Sequence, residues 1–191
     1  MKSILYLVIF SIMSSVWSLR CTQKYHFWRP FIGEHSDETD YIAGRDIYGK
    51  QFYIGKIISP VERRAWTFST LLLHDYVNIA FEDHRVFRVD RCIEILSVEP
   101  RYQSKFDWYM IRKEYELDLI QQYNMCYVLG GLFRFNDKVI AAYIGRYMMN
   151  GTIFIGPVFT TRWTMEPGMH FLDGYIPHHR KAGFQILTHR S

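Results

Sequence analysis

The sequence predicts an all-β protein in which two tandem diverged repeats form packed antiparallel sheets, in a sandwich-like arrangement, after a cleaved signal peptide. Short segments rich in β-branched and aromatic residues, such as residues 51–58 and 139–147, recur along the chain. Such segments favour strands and are too short for free-standing helices. Glycines punctuate them, and a series of sequence landmarks occurs twice in the same order. These three observations indicate antiparallel sheets joined by turns.

Residues 1–18 have the pattern of a secretory signal peptide. Lys2 supplies a positive start, residues 4–13 form an almost unbroken apolar run, and Ser18 is a small residue at the predicted cleavage site. The apolar run is well short of the roughly 20 residues that a transmembrane helix needs. We therefore expect a secreted, extracellular protein that has no transmembrane segment once residues 1–18 are removed.

The two predicted repeats span residues 22–98 and 103–191 and are joined around Pro100. In both repeats a tryptophan precedes Tyr-Ile-Gly with a cation after it, and Ile-Leu follows at nearly the same distance. The landmarks are Trp28, residues 53–56 and residues 94–96 in the first repeat, and Trp108, residues 143–146 and residues 185–187 in the second. An ordered series of this kind indicates an internal duplication.

Local sequence patterns predict one tight turn and leave the secondary structure of one segment undecided. Asn150-Gly151 lies between two apolar runs, and this dipeptide predicts a tight hairpin because both turn positions need a positive φ. Residues 113–123 are compatible with a helical turn or two, and equally with a strand that has apolar residues on one face.

Charge and cysteine content exclude some classes of function. The formal net charge is +4, with acids and bases mixed along the chain, which is too mild to indicate a nucleic-acid partner. The three cysteines are Cys21, Cys92 and Cys126. One disulfide with one cysteine left over and three buried thiols are both compatible with the sequence. The cysteines are too far apart in the chain for a zinc site, and we expect no cofactor.

The order of the landmarks in the first repeat resembles that of the DM-nine repeat family of secreted invertebrate proteins. The resemblance rests on Trp28, Ala-Gly-Arg-Asp-Ile-Tyr-Gly at residues 43–49, Tyr-Ile-Gly-Lys at residues 53–56 and Glu-Ile-Leu at residues 94–96. It implies a β-rich fold built from two tandem repeats over nearly all of the mature chain. Some members of the family bind mannose-type sugars as lectins in innate immunity, and others are salivary or tissue proteins.

The resemblance also implies one ligand-binding residue, Asp46. In sugar-binding members an aspartate in Ala-Gly-x-Asp-x-x-Gly and a lysine in Pro-Gly-Lys-Val contact the ligand, and Asp46 matches the aspartate. The lysine has no match, because residues 155–158 read Ile-Gly-Pro-Val and residues 68–71 read Phe-Ser-Thr-Leu. The second repeat has Asn136 where the aspartate would stand. A sugar site of the family type would therefore lie in the first repeat.

Two interpretations of Asp46 are compatible with the sequence. A carboxylate can accept two hydrogen bonds from vicinal sugar hydroxyls, and bonds to a charged acceptor are strong. An aspartate shortly before Gly49 can equally bond its own backbone and form a turn. Four tryptophans could offer a face to a sugar ring, although large aromatics of small β proteins usually belong to the core. They are Trp28, Trp66, Trp108 and Trp163.

Two further motifs have alternative explanations. Residues 178–181, His-His-Arg-Lys, are the most basic cluster; they could bind an acidic glycan or membrane surface, or form a solvated loop beside Pro177. Asn150-Gly151-Thr152 is an N-glycosylation sequon, to which a tight turn restricts access.

The sequence favours a secreted, non-enzymatic, lectin-like recognition protein that binds mannose-type glycans in innate immunity through Asp46. It contains no Gly-x-Ser-x-Gly nucleophile elbow and no pattern that pairs two carboxylates for glycoside hydrolysis. The alternative is a secreted module, for example of saliva or haemolymph, that binds a secreted or cell-surface protein and has no sugar site. The missing lysine favours this alternative.

Overall fold

The structure, a computed structural model, describes residues 25–36, 38–59, 66–73, 76–80, 86–119, 125–135, 138–160 and 166–190. These residues form two antiparallel sheets, so the prediction of an all-β fold with packed antiparallel sheets is confirmed. The predicted signal peptide, together with Cys21, Asn136 and Trp163, lies outside the described residues.

The first sheet contains seven strands and lies within residues 26–98. Its strands are β1 (His26–Pro30), β2 (Ile42–Arg45), β3 (Gln51–Ser59), β4 (Trp66–Leu73), β5 (Tyr76–Ala80), β6 (Val86–Val89) and β7 (Ile93–Val98). The strand order is β1-β7-β3-β4-β5-β6, and β2 pairs with β3.

The second sheet contains eight strands and lies within residues 106–190. Its strands are β8 (Phe106–Ile111), β9 (Met125–Tyr127), β10 (Leu129–Phe135), β11 (Lys138–Met149), β12 (Thr152–Phe159), β13 (Gly168–Asp173), β14 (Ile176–Arg180) and β15 (Phe184–Arg190). The order is β8-β15-β11-β12-β13-β14, with β10 on β11 and β9 on β15.

Apart from β9, which has no counterpart among the described strands of the first sheet, the strand orders of the two sheets correspond position by position. In the first sheet Lys56 of β3 stands opposite Glu94 of β7, and in the second Arg146 of β11 stands opposite Gln185 of β15. Outside this central pair, β1 runs beside β7 and β8 runs beside β15. The two sheets therefore share one topology.

One short helical segment connects the two sheets, and another lies between β8 and β9 of the second sheet. A 3₁₀ helix, Pro100–Lys105, follows β7 and leads directly into β8. Of the two alternatives for residues 113–123, the described part is helical, because α1 spans Glu116–Leu119. Within the described residues, no helix is both long and apolar enough to cross a membrane.

The core lies between the two sheets. One hydrophobic cluster combines Ile54 and Leu96 of the first sheet with Ile144 and Leu187 of the second, and all four are fully buried. Each such side chain contributes on the order of 1.5–3 kcal/mol when it leaves water. Since the cluster draws on both sheets, burying this apolar surface holds the two sheets against each other.

An aromatic cluster at one end of the interface contains two histidines. His26 of β1 and His189 of β15 have ring centroids 6.4 Å apart, and both rings pack against Phe106 of β8. Among the residues that the structure describes, no hydrogen-bond partner occurs for the buried Nδ1 of His26 or for either buried ring nitrogen of His189. Burial lowers the pKa of His189; burial, helped by His189 and Lys56, lowers the pKa of His26 to about 4. The folded protein therefore keeps both imidazoles neutral near pH 7.

Candidate functional site

Asp46 lies in the turn between β2 and β3 and organises that turn. Its Oδ1 accepts hydrogen bonds from the backbone N–H groups of Tyr48 and Lys50, each at 2.8 Å. The backbone closes the loop as well, because Asp46 N–H donates to the Lys50 carbonyl and Gly49 N–H donates to the Asp46 carbonyl, both at 3.0 Å. Gly49 has a φ of 83°, a conformation that glycine adopts without strain. The local role that the sequence allowed for Asp46 is thus present in the structure.

The turn leaves two large side chains exposed, and Oδ2 of Asp46 takes no part in the two hydrogen bonds that Oδ1 accepts. No donor to Oδ2 of Asp46 occurs among the residues that the structure describes. The next two residues form the tip of the loop, where the side chains of Ile47 and Tyr48 are 75% and 88% exposed. Because the turn is closed by several hydrogen bonds, these side chains are presented by an ordered backbone.

The β2–β3 turn packs against the β11–β12 hairpin of the other sheet. A Cβ atom added to Gly151 would lie only 2.7 Å from Cγ2 of Ile47. A Cβ atom added to Gly44 of β2 would overlap Cδ1 of Ile153, the second residue of β12. Glycine at both positions therefore permits the close approach of two loops that are about a hundred residues apart in sequence.

The predicted tight hairpin is confirmed. Met149 stands opposite Thr152, so Asn150 and Gly151 form a two-residue turn, with φ values of 50° and 77°. Met148, opposite the buried Ile153, and Met149 are both exposed.

We call the exposed group at these two loops the tip surface. It consists of Ile47, Tyr48 and Met148, whose side chain lies on the same face of the hairpin as its cross-strand partner Ile153.

The strand register places the residues that the resemblance to the DM-nine family aligns near the lysine of its sugar-binding members. Pro157 of β12 stands opposite Ile144, and Leu71 of β4 stands opposite Ile54 at the corresponding place of the first sheet. Neither residue is a cation. The cations beside Asp46 in the sequence are Arg45 and Lys50, both exposed.

Trp28 and Trp108 are stacked against internal cations. Lys56 Nζ lies 4.5 Å from the Trp28 ring centroid, and the Arg146 guanidinium carbon lies 4.3 Å from that of Trp108. Lys56 is itself held in place by an ion pair with Glu94 at 2.8 Å. A cation held over a ring face is stabilising and covers the face that a sugar would need. These two rings are therefore parts of the folded scaffold.

Arg146 also links the two sheets. Its Nε donates to Oε1 of Gln185 at 3.0 Å, and its Nη1 donates to the backbone carbonyl of Ala43 in β2. Sequence reasoning missed the pairing of tryptophan with cation. The signal that could have found it is the cation that follows Tyr-Ile-Gly in both repeats, at Lys56 and Arg146.

The basic cluster at residues 178–181 begins in a strand, which corrects the interpretation as a solvated loop. Residues 178–180 belong to the edge strand β14, and His178 stacks on Phe171 with ring centroids 5.3 Å apart. Their neighbours neutralise part of the charge. Glu166 pairs with His179 at 3.2 Å and with Lys181 at 2.6 Å, and Arg180 donates to the Tyr147 hydroxyl at 2.7 Å. The cluster therefore contacts protein groups at each of its four residues.

The states of Cys92 and Cys126 decide between the two interpretations of the cysteines that the sequence allowed. Cys126 is buried and disulfide-bonded, whereas Cys92 is free and exposed. The interpretation of three buried thiols is therefore wrong. In the described part of the chain, no group of three or more His, Cys, Asp or Glu side chains could hold a metal ion.

The fold and the loops define an all-β protein of two antiparallel sheets with one topology, and the comparisons with known proteins agree with this class. The chain is similar in structure to the nematode sperm cell motility protein MFP2B, with a TM-score of 0.54 and 12% sequence identity. The match covers 87% of this chain and 46% of that protein, so the chain spans about half of its length. No family model matches the sequence, and no curated protein matches it. At this identity the likeness concerns the fold alone.

Proposed function

We propose that the protein is a non-enzymatic recognition protein that binds another protein through the tip surface. The observation that carries the proposal is the exposure of Ile47 and Tyr48 on a turn closed by the hydrogen bonds of Asp46. A preorganised loop loses little conformational entropy when it binds. Tyrosine is among the residues that most often dominate binding energy at protein interfaces, and the flexible side chain of Met148 adapts to a partner's surface.

A protein partner fits this surface better than a sugar does. Sugar recognition needs several hydrogen-bonding groups around one ring, whereas the tip surface is made mainly of aliphatic and thioether side chains. Oδ1 of Asp46 already accepts two backbone hydrogen bonds, and no lysine stands at the position used by sugar-binding members of the DM-nine family. The structural neighbour is described as a cell motility protein, a description that names no enzymatic reaction.

A lectin-like function is the second candidate, and one feature of the loop favours it. No described residue donates to Oδ2 of Asp46, so this oxygen can accept a hydrogen bond from a sugar hydroxyl. The exposed ring of Tyr48 two residues later can cover the apolar face of a sugar. The resemblance to the DM-nine family supports this candidate too, and mannose-type glycans are the ligands it suggests.

We also propose that the two sheets derive from two copies of one unit, at residues 22–98 and 103–191. The shared strand order and the matching pairs Trp28–Lys56 and Trp108–Arg146 support a duplication of the DM-nine kind. Secretion remains part of the proposal and rests on the pattern of residues 1–18.

The test compares Tyr48→Ala with a matched control, Tyr175→Ala. Tyr175 lies in the turn between β13 and β14 and is 77% exposed, so both changes remove an exposed tyrosine from a loop. Wild-type and variant proteins are immobilised and exposed to extracellular fluid of the source organism, and captured proteins are quantified by mass spectrometry. Loss of a central tyrosine should cost about 2 kcal/mol or more, which is about 30-fold in affinity.

The outcomes separate the two candidates. A partner that Tyr48→Ala loses and Tyr175→Ala retains supports the protein-binding function, whereas equal capture by both variants would refute it. The same proteins, together with Asp46→Ala, are applied to a glycan array that includes mannans. Glycan binding that disappears in Asp46→Ala would establish the lectin-like function instead.

A further inference from the structure

The β11–β12 hairpin presents an N-glycosylation sequon to solvent. Asn150, Gly151 and Thr152 form the sequon, and the side chains of both Asn150 and Thr152 are exposed. Asn150 has a φ of 50°, in the left-handed region that asparagine tolerates better than most residues. Because Asn150 is exposed at this two-residue turn, its acceptor side chain is accessible in the folded protein.

The same hairpin adjoins the tip surface. Gly151, the residue after Asn150, approaches Cγ2 of Ile47 so closely that an added Cβ atom would lie 2.7 Å from it. Met148, two residues before Asn150, belongs to the tip surface itself. A substituent on Asn150 would thus start within two residues of two different parts of that surface. N-linked glycans are bulky and strongly solvated, so their volume would compete with a partner for the same space.

We propose that Asn150 carries an N-linked glycan and that this glycan limits access to the tip surface. The second half of the proposal rests on the proposed function, because it concerns regulation of the same site. In the modification, Nδ2 of Asn150 bonds to the anomeric carbon of an oligosaccharide supplied by a lipid pyrophosphate donor in the secretory pathway. The bond from that carbon to the pyrophosphate oxygen breaks, the lipid pyrophosphate leaves with the electron pair, and the amide loses one proton.

Variants at Thr152 test the modification without disturbing the turn. Replacing Asn150 with most residues would strain its positive φ, whereas Thr152 is exposed at the start of β12 and tolerates small side chains. Thr152→Ser keeps the sequon hydroxyl and Thr152→Ala removes it. The full chain, including residues 1–18, is produced in insect cells, and peptide mass spectrometry is performed before and after treatment with a peptide N-glycosidase.

The expected result is a glycan on Asn150 in the wild type and in Thr152→Ser, and none in Thr152→Ala. The glycosidase should convert the modified Asn150 to aspartate, which marks the site in the peptide mass. An unmodified Asn150 in the wild-type protein would overturn the proposal.

Hydroxyl-radical footprinting then measures shielding without any partner. Oxidation of Tyr48 and Ile47 should rise by about twofold or more in Thr152→Ala relative to the glycosylated wild type, because the bulky glycan is absent. Val139, exposed near the start of β11 at the opposite end of that strand from Asn150, is the internal control and should react equally in both proteins. Equal oxidation of Tyr48 in the two proteins would refute the proposal that the glycan shields the tip surface.

Partner capture distinguishes this failure from failure of the proposed function. Capture by the unglycosylated Thr152→Ala protein, with and without Tyr48→Ala, reports on the tip surface alone. Footprinting and glycan mapping report on Asn150 whether or not a partner binds.

Discussion

Acidification from pH 7 to pH 5 is expected to lower the free energy of unfolding by about 2 kcal/mol through His26 alone. The pKa of His26 is 6.5 in the unfolded chain and about 4 in the folded protein, because burial, His189 and Lys56 all disfavour the charged ring. The unfolded chain therefore binds the proton more readily, so stability is lost as the pH falls through 6.5 and continues to fall until the folded protein also protonates near pH 4. The full window corresponds to about 3 kcal/mol.

Two other histidines lower the free energy of unfolding over the same pH range, whereas Asp40 affects it only at lower pH. Burial also lowers the pKa of His189 and of His170, so both add to the loss. Asp40 behaves oppositely. Burial alone would raise its pKa, but hydrogen bonds from Arg29, from the Ser36 backbone and from Ser97, together with the Arg29 charge, lower it overall. The stability that Asp40 contributes is therefore lost only at a pH below the range tested.

Urea denaturation at pH 7 and pH 5, on the wild type and on His26→Phe, measures the effect. Phenylalanine keeps an aromatic ring beside Phe106 and cannot be protonated, so the difference between the two pH values should shrink by about 2 kcal/mol in the variant. Circular dichroism at pH 7 verifies that the variant folds. An unchanged pH difference in a folded His26→Phe protein would show that His26 is not held neutral as argued.

Two further predictions concern packing and disulfide pairing. Gly156→Ala should destabilise the protein by about 3 kcal/mol, because a Cβ atom there would overlap the backbone carbonyl of His170 on the neighbouring strand. Urea denaturation measures the change, and a loss of stability below about 1 kcal/mol would contradict this packing. Since Cys126 is disulfide-bonded and Cys92 is free, we expect Cys21 to be the partner of Cys126. Peptide mapping without reduction should yield that cross-link while Cys92 reacts with a thiol reagent, and a cross-link between two chains would be the contrary result.

Features of the fold that depend on neighbouring residues could be predicted from the sequence. The turn at Asn150-Gly151 is one, because both of its positions require a positive φ and few dipeptides accept it. The all-β class is another, since short segments rich in β-branched and aromatic residues carry their own strand preference. The turn-forming role of Asp46 was also one of two local alternatives, and its partners, Tyr48 and Lys50, lie within four residues of it.

Features that depend on long-range pairing were decided only by the tertiary structure. Nothing local indicates that Ile47 meets Gly151, that Lys56 and Arg146 cover the faces of Trp28 and Trp108, or that residues 178–180 form an edge strand. The physical reason is that the pleat alternates side chains between two faces, so their neighbours are set by the register and packing of distant strands. The sequence by itself determined the kind of elements and the turns that join them, and the packing of one sheet on the other decided which residues form the tip surface.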